Sequence, residues 1–436
     1  MRTDMESADE RALRRRGLTL GLLTLTYFFS YMDRQILAIL MEPIRRDLDL
    51  TDLQLGLVAG FAFALFYATL GIPVARLADR GNRRNIVAVS LAVWSLFTAL
   101  CGLAQNYAQL LAARIGVGIG EAGSSPPSHS MIADLYPPDR RAGAMAIYAS
   151  GVVLGGGFGT ILGGWLAHQY GWRTAIMAVG LPGLALAVIV RLLVVEPRRG
   201  LSEPARITST TQPPLGEGFT TIWANPAARH LVMGVTLTSL VGYALTSFGL
   251  TYYIRSYNLD TATVGLVLGP LVAIVGTISG VGGGMIADRW ARKAGQHVQS
   301  WLVAILKTAA MPFMALVYLA PSFPVAVAAQ AVSVLLQSSY LGPSFALIQG
   351  LAPIRLRAMW AAITLLVINL IGLGLGPAVT GALSDLYRPY FGTESLRYAL
   401  LTMAAITPWP IWHYWRAGQI LKQIEAGADA AGRTGD

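Results

Sequence analysis

Asp33 and Arg34 stand side by side in Tyr31-Met32-Asp33-Arg34-Gln35, inside an apolar run from about Leu18 to Met41 that carries no other charge. A charge at mid-bilayer costs about 3 kcal/mol on insertion scales. Two adjacent ones persist only where they face protein or a water-filled cavity and find partners. A second apolar stretch offers them. Arg114 and Glu121 lie seven residues apart in it, two helical turns on one face. If the first run leaves the membrane near Met41, Asp33 and Arg34 lie about 11–12 Å below that surface at the helical rise per residue. A helix entering from the same side near Tyr107 carries Arg114 about 10 Å down. Opposite charges therefore meet at one height. Neighbouring helical residues diverge by about 100°, so Asp33 and Arg34 cannot aim at one point. The expected pairing is Asp33 with Arg114, and Arg34 shared between Glu121 and a bound molecule. Because a buried carboxylate gains or loses its proton according to the cation near it, Asp33 and Glu121 are the candidates for proton coupling. A static clip between the two helices is the alternative.

These residues need helices that cross a bilayer, and the composition supplies them. The 436 residues are 54% hydrophobic and 13% charged, against roughly 25% charge in an average soluble domain. Charges and prolines cluster between apolar runs of about twenty residues, the length of a membrane-crossing helix. The net charge of +10 comes from arginines in alternate loops, the positive-inside pattern, and not from a nucleic-acid-binding face. Cys101, the one cysteine, sits in an apolar run, so neither a disulfide framework nor a thiol metal site is expected. The first span is too long for a signal peptide and lacks a cleavage pattern. No N-x-S/T sequon occurs, in keeping with a bacterial inner membrane.

Twelve spans are expected: 17–41, 52–77, 85–104, 107–133, 142–168 and 172–195, then 229–255, 261–287, 299–319, 324–350, 357–383 and 396–416. The organisation is a 1–16 cytoplasmic N-terminal segment, a 17–195 six-helix half, a 196–228 linker with five prolines, a 229–416 six-helix half and a 417–436 tail. Charge asymmetry puts both termini in the cytoplasm. "ARLADRGNRR" (75–84) repeats as "GMIADRWARK" (284–293), and "LYPPDRRA" (135–142) as "LAPIRLRA" (351–358), at offsets of 209 and 216. Two similar halves imply a pseudo-two-fold axis along the membrane normal and a site near the midplane between them.

The twelve-span layout and the paired loops resemble the major facilitator superfamily. So do "RIGVGIGEAG" (114–123), which is similar to its R-x-x-x-G-x-G motif, and the glycine run Gly151 to Gly164. The run lacks the usual Gly-Pro pair. In the first loop Ala75 stands where Gly is usual, and Gly81-Asn82 replaces the usual x-Gly order. Within the superfamily, "YMDRQIL" (31–37) with "RIGVGIGEAGSSPPSHSMIADLYPPDRRA" (114–142) closely resembles the Spinster family, whose animal members move sphingosine-1-phosphate or lysophospholipids. The resemblance implies an all-α membrane fold, twelve transmembrane helices in two pseudo-symmetric six-helix halves, and alternating-access transport.

The remaining candidates follow from local chemistry. Ser125 and His129 lie in Ser124-Ser125-Pro126-Pro127-Ser128-His129, where two prolines free backbone carbonyls. With Arg34 and Arg114 they are headgroup candidates, although a lone membrane histidine also serves simply to pack. Asp79, Arg80 and Arg83, with Asp288, Arg289 and Arg292, read as gates: each aspartate can face the positive N-terminus of a helix of the other half, near Arg357 and Arg141. Tyr243, Thr246, Thr251, Gln337, Tyr340 and Asn369 are candidate cavity wall. Lys307, on a span peripheral in this superfamily, is expected to snorkel to the inner surface.

A charged first half and an apolar, aromatic second half suit an amphiphile with an anionic or zwitterionic head. The expected protein is a monomeric, proton-coupled secondary transporter of a lipid-like amphiphile. Its partners are protons, the bilayer and that substrate, with no nucleic acid, cofactor or metal. An organic-anion or drug exporter, and a non-transporting receptor or scramblase on the same scaffold, stand as alternatives. No phosphate-binding loop, HExxH or Cys/His cluster points to an enzyme.

Overall fold

The computed structural model describes residues 9–202 and 215–433, and among these every regular element is helical. The calls that fall on 1–8, 203–214 and 434–436 lie outside the described residues. Span one is Arg16–Leu48, about two turns longer than its apolar core because Glu42 closes helical ion pairs with Arg45 and Arg46 at i+3 and i+4. Span two runs through Asp52–Gly56, a π-helical stretch Leu57–Phe61 and Ala62–Arg80. Span three is Arg83–Cys101. Span four is split into Tyr107–Glu121 and Ser125–Leu135. Spans five and six share the run Pro138–Leu193, broken at Gly171, whose φ of 81° and ψ of 162° leave the helical region.

In the second half, span seven is Pro226–Ser256, span eight Thr261–Ala294 and span nine His297–Leu319. Span ten is split into Phe323–Gln337 and Leu341–Leu351. Span eleven passes from Arg357–Val367 through the π-helical Ile368–Leu375 to Gly376–Phe391. Span twelve joins Ser395–Ala405 to Pro408–Arg433. Among the described residues eight stretches are long and apolar enough to cross a membrane. Two of them, 138–193 and 359–427, each hold two spans. Span four is interrupted after Glu121, which leaves two helices of 15 and 11 residues.

Local signals set the ends. Thr51 and Gln54 form a reciprocal capping box at the start of span two. Asn82, Asn106 and Asn225 cap spans three, four and seven through backbone N–H groups three residues on, the favoured geometry for Asn at an N-cap. Asp49 and Asn258 take left-handed φ values of 48° and 51° at positions 209 apart, so the internal repeat of the sequence recurs in the backbone. The breaks of spans four and ten, after Glu121 and Gln337, recur at the other offset, 216.

The chain groups into two compact units. One holds spans one to six together with Asn258–Pro270; the other holds span seven, the rest of span eight and spans nine to twelve. The linker is more structured than its prolines suggest. Leu215–Ala224 is a helix held to the base of span eleven by Trp360 donating to Thr221 Oγ1 at 3.0 Å and by an Arg355–Glu217 ion pair. The tail also continues as helix, to Arg433. Glu425 Oε1 accepts the Gln296 and His297 backbone N–H groups at 2.7 and 3.2 Å, and its other oxygen meets His297 Nδ1. A carboxylate at this N-terminus completes orphan donors and complements the helix dipole.

Span one is held by span five. Gly151, Gly155, Gly159 and Gly163 repeat every fourth residue and lie against Thr24, Phe28, Met32 and Ile36, themselves four apart. A Cβ at Gly155 would stand 2.2 Å from the Phe28 carbonyl oxygen, and one at Gly159 would stand 2.7 Å from that of Met32. Backbone thus touches backbone, which only glycine permits. Gly156, one residue off the stripe, has Gln35 Cγ as its nearest neighbour at 3.5 Å. Gly155→Val is therefore expected to abolish the monodisperse folded peak in size-exclusion chromatography, whereas Gly156→Ala keeps it; equal profiles would remove the glycine stripe as the determinant.

Candidate functional site

Span one emerges from the glycine stripe with Ser30, Asp33 and Arg34 turned toward spans three and four. Thr98 of span three donates to Asp33 Oδ1 at 2.8 Å, and Arg114 Nη1 reaches Asp33 Oδ2 at 3.2 Å. Both Asp33 oxygens are occupied. The Asp33 and Arg114 side chains keep 4% and 3% of their exposure, and the crevice beside them is walled by Phe29, Trp94 and Thr98. Glu121 is arranged differently. Its Oε1 accepts from Ser30 and, at 2.9 Å, from Arg34 Nε, with Arg34 Nη2 on the same oxygen. Its Oε2 is buried and has no hydrogen-bond partner. Glu121 retains 2% exposure, whereas Arg34 retains 15%.

Aromatic rings complete the surroundings. The Arg34 guanidinium carbon lies 4.7 Å from the Phe63 centroid and 5.0 Å from those of Tyr31 and Tyr67. Phe63 also faces Arg114, at 5.5 Å. Cation–π contacts of this kind are worth about 2 kcal/mol or more when desolvated, so the box stabilises Arg34 near Glu121 without fixing it there by hydrogen bonds alone. The glycines of span four explain how the rings come so close. A Cβ at Gly118 would meet the Phe63 carbonyl oxygen at 2.7 Å, and one at Gly120 the Trp94 backbone nitrogen at 2.5 Å.

Beyond Glu121 the helix breaks, and Ser125 opens the next segment with Pro126 and Pro127 in its first turn. His129 is exposed on the unit's surface, edge-on to Tyr148 at 5.1 Å, and Tyr148 stacks on Tyr27 at 4.5 Å. A tyrosine ladder thus links His129 to Tyr31.

The loop motifs divide. Arg83 is not a surface residue: its side chain keeps 1% exposure. It donates to Glu196 Oε1 at 2.8 Å, Ser130 Oγ at 2.8 Å and the Pro197 carbonyl at 2.6 Å, and pairs with Asp134. Glu196 and Asp134 in turn accept the backbone N–H groups of Arg84 and Gly200. Arg83 thus ties the ends of spans four and six to the start of span three. Arg80, Asp288, Arg289 and Arg292 are exposed, and the side chain of Asp79 lies outside the described residues.

In the second half Tyr340 shares a 3.3 Å hydrogen bond with Ser239, and Tyr243 packs beside Gly372. Gln337 donates to Ser333, and Asn369, in the π-helical stretch, donates to the Leu365 carbonyl at 2.8 Å. Thr246 is exposed. Two expectations are corrected. Thr251 is fully buried with an unpartnered hydroxyl, so it lines no open cavity; it lies in the tightly packed stretch with Phe248, Tyr252 and Tyr253. Lys307 does not snorkel: at 4% exposure its Nζ lies over the Tyr340 ring, 4.8 Å from the centroid.

Sequence reasoning missed Ser30, Phe63, Tyr67, Thr98, Asp134 and Glu196. Ser30 was accessible, one turn before Arg34 on the same face. Thr98 and Phe63 carried no signal, since their roles exist only once the spans pack.

The sequence from 23 to 377 matches the Major Facilitator Superfamily model. An "MFS-type efflux pump" of Mycolicibacterium smegmatis is 34% identical over 92% of each chain. The "Protein spinster homolog 1" of Xenopus tropicalis is 27% identical over 86% of this chain and 76% of its own. A crystal structure described as a bacterial homolog of the human lysosomal transporter Spinster superposes with a TM-score of 0.85 at 29% identity, covering 94% of this chain and 98% of that one.

The buried arginine makes its own test. Breaking a buried ion network from one side costs about 3–5 kcal/mol, so Arg83→Ala should lower the thermal unfolding midpoint of the purified protein well below wild type. Arg289→Ala, at an exposed site, should leave it unchanged. A sequence repeat that marks both halves, a twelve-span helical fold and matches over most of the chain converge: this is a multi-pass membrane protein belonging to the Major Facilitator Superfamily, a family of transporters, and it is similar to Spinster proteins over most of its length.

Proposed function

We propose that the protein is a proton-coupled secondary transporter of a lipid-like amphiphile, of the sphingosine-1-phosphate or lysophospholipid type, working by alternating access as a monomer in a bacterial inner membrane with both termini cytoplasmic. The observation that carries the proton part is the lopsided carboxylate of Glu121. One oxygen takes every donor, and the other is bare. Its cation, Arg34, is the most exposed member of the cluster. When a substrate's acidic head competes for Arg34, Glu121 loses its compensating charge, and a buried carboxylate without a cation takes up a proton. The bare Oε2 receives it without displacing a bond. Asp33, filled by Thr98 and Arg114, is the fixed anchor that keeps span one against spans three and four.

The aromatic box around Arg34 and the tyrosine ladder toward His129 give the apolar body of an amphiphile a surface beside the charge. The gate roles of Asp79 and Asp288, with Arg80, Arg289 and Arg292, belong to the same proposal; Arg83 acts within it as the fixed brace of the first half. A second reading, export of an organic anion or drug, is favoured by the efflux-pump relative. It uses the same proton step with a smaller acid on Arg34.

Reconstituted liposomes distinguish the two. With a lysolipid panel and an aromatic acid panel, each assayed with and without an imposed pH gradient, gradient-dependent lysolipid flux is expected. Glu121→Gln should remove the gradient dependence, and Asp33→Asn should lower flux while leaving the dependence in place. Flux indifferent to the gradient would remove the proton step, and flux of aromatic acids alone would replace the lipid by the organic anion.

A further inference from the structure

The two halves, related by the offsets of 209 and 216, differ sharply in charge. The left-handed caps Asp49 and Asn258 anchor the first offset along spans one and seven, so Asp33 corresponds to Gly242 and Arg34 to Tyr243. The starts of spans four and ten at Tyr107 and Phe323 anchor the second, so Arg114 corresponds to Gln330 and Glu121 to Gln337. All four charges of the cluster are neutral in the second half.

One charge is added instead. Leu103-Ala104 after span three matches Leu319-Ala320 after span nine, again 216 apart, and counting back from them places Lys307 opposite Leu91. Leu91 is a fully buried core leucine. The second half thus puts a lysine amine where the first puts hydrocarbon. Among the described residues Lys307 has no carboxylate partner; its one neighbour of opposite character is the Tyr340 ring face at 4.8 Å. That ring stands at the break in span ten, in the place of Ser124, and its hydroxyl meets Ser239, the counterpart of Ser30.

A cation in a low-dielectric interior is costly unless paired and hydrogen-bonded. A single aromatic face offsets only part of that. Ser239 gives its own proton to the Val235 carbonyl at 2.8 Å and so accepts from Tyr340, which leaves Lys307 as the donor. We infer that Lys307, over the Tyr340 ring, forms an anion subsite in the second half that accepts a carboxylate or phosphate group. The group comes either from the head of the carried amphiphile or from a small free anion. The first source rests on the transporter reading; the subsite itself does not.

The test uses the full chain in nanodiscs at neutral pH, with thermal unfolding and ligand titration as readouts. Without added anion, Lys307→Met should unfold at a higher temperature than wild type, because an unpartnered buried polar group has been replaced by an apolar one of similar size. A lower midpoint, showing that Lys307 already has a structural partner, would overturn the inference. Laurate and dodecyl phosphate should bind wild type at least about tenfold more tightly than monolaurin, the scale of one charge-assisted hydrogen bond. Lys307→Met should abolish that preference and Lys307→Arg should retain it. If acetate and inorganic phosphate show the same Lys307-dependent binding, the anion is a small free one. Binding of the acids no better than monolaurin, or a preference untouched in Lys307→Met, would sink the subsite. Absent flux in liposomes alongside Lys307-dependent binding would count against the transporter reading alone.

Discussion

Charge neutralisation inside hydrocarbon is the constraint on which the first half depends. Asp33, Arg34, Arg114 and Glu121 can be buried only together, because each one alone would carry a desolvation penalty of several kcal/mol. Bringing them together requires spans one, three and four to approach within the reach of their side chains. Glycine makes the approach possible: the stripe from Gly151 to Gly163 seats span one, and Gly118 and Gly120 let the aromatic walls of spans two and three close on span four. Removing one side of this arrangement leaves the other without a purpose.

The same constraint separates two kinds of ion pair in one cluster. Asp33 and Arg114 are saturated and enclosed, the state in which a pair is structural. Glu121 and Arg34 are unsaturated and border an accessible edge, the state in which a pair can exchange partners. Two adjacent residues of span one thus serve opposite ends, one anchoring and one available. Divergence of about 100° between neighbours is what allows it.

Much of this was legible in the sequence. The depth argument brought Asp33 to Arg114, because helical rise converts residue number directly into height, and the shared helix face of Arg114 and Glu121 with the divergence of Asp33 and Arg34 assigned Arg34 to Glu121. The repeated loops revealed the two halves for the same reason: a repeat is a pattern along the chain. Contacts that arise only across the chain were not legible. Arg83 looked like one more loop arginine, and nothing in its neighbourhood foretold Asp134 and Glu196 closing around it. Lys307 near the middle of a span suggested snorkelling, a rule about distance to water; the ring of Tyr340 was closer than the surface. The linker's prolines concealed the helix Leu215–Ala224, since proline near the ends of a short helix does not prevent its middle from forming.

The unbroken run from Pro408 to Arg433 makes span twelve a lever with its far end outside the apolar layer. Glu425 on that extension caps the first turn of span nine, the span that carries Lys307. A truncation placed before Glu425 would therefore uncap the first turn of span nine. The practical boundary of the folded protein lies beyond the last apolar residue, and an expression design that stops at the membrane surface removes part of the fold.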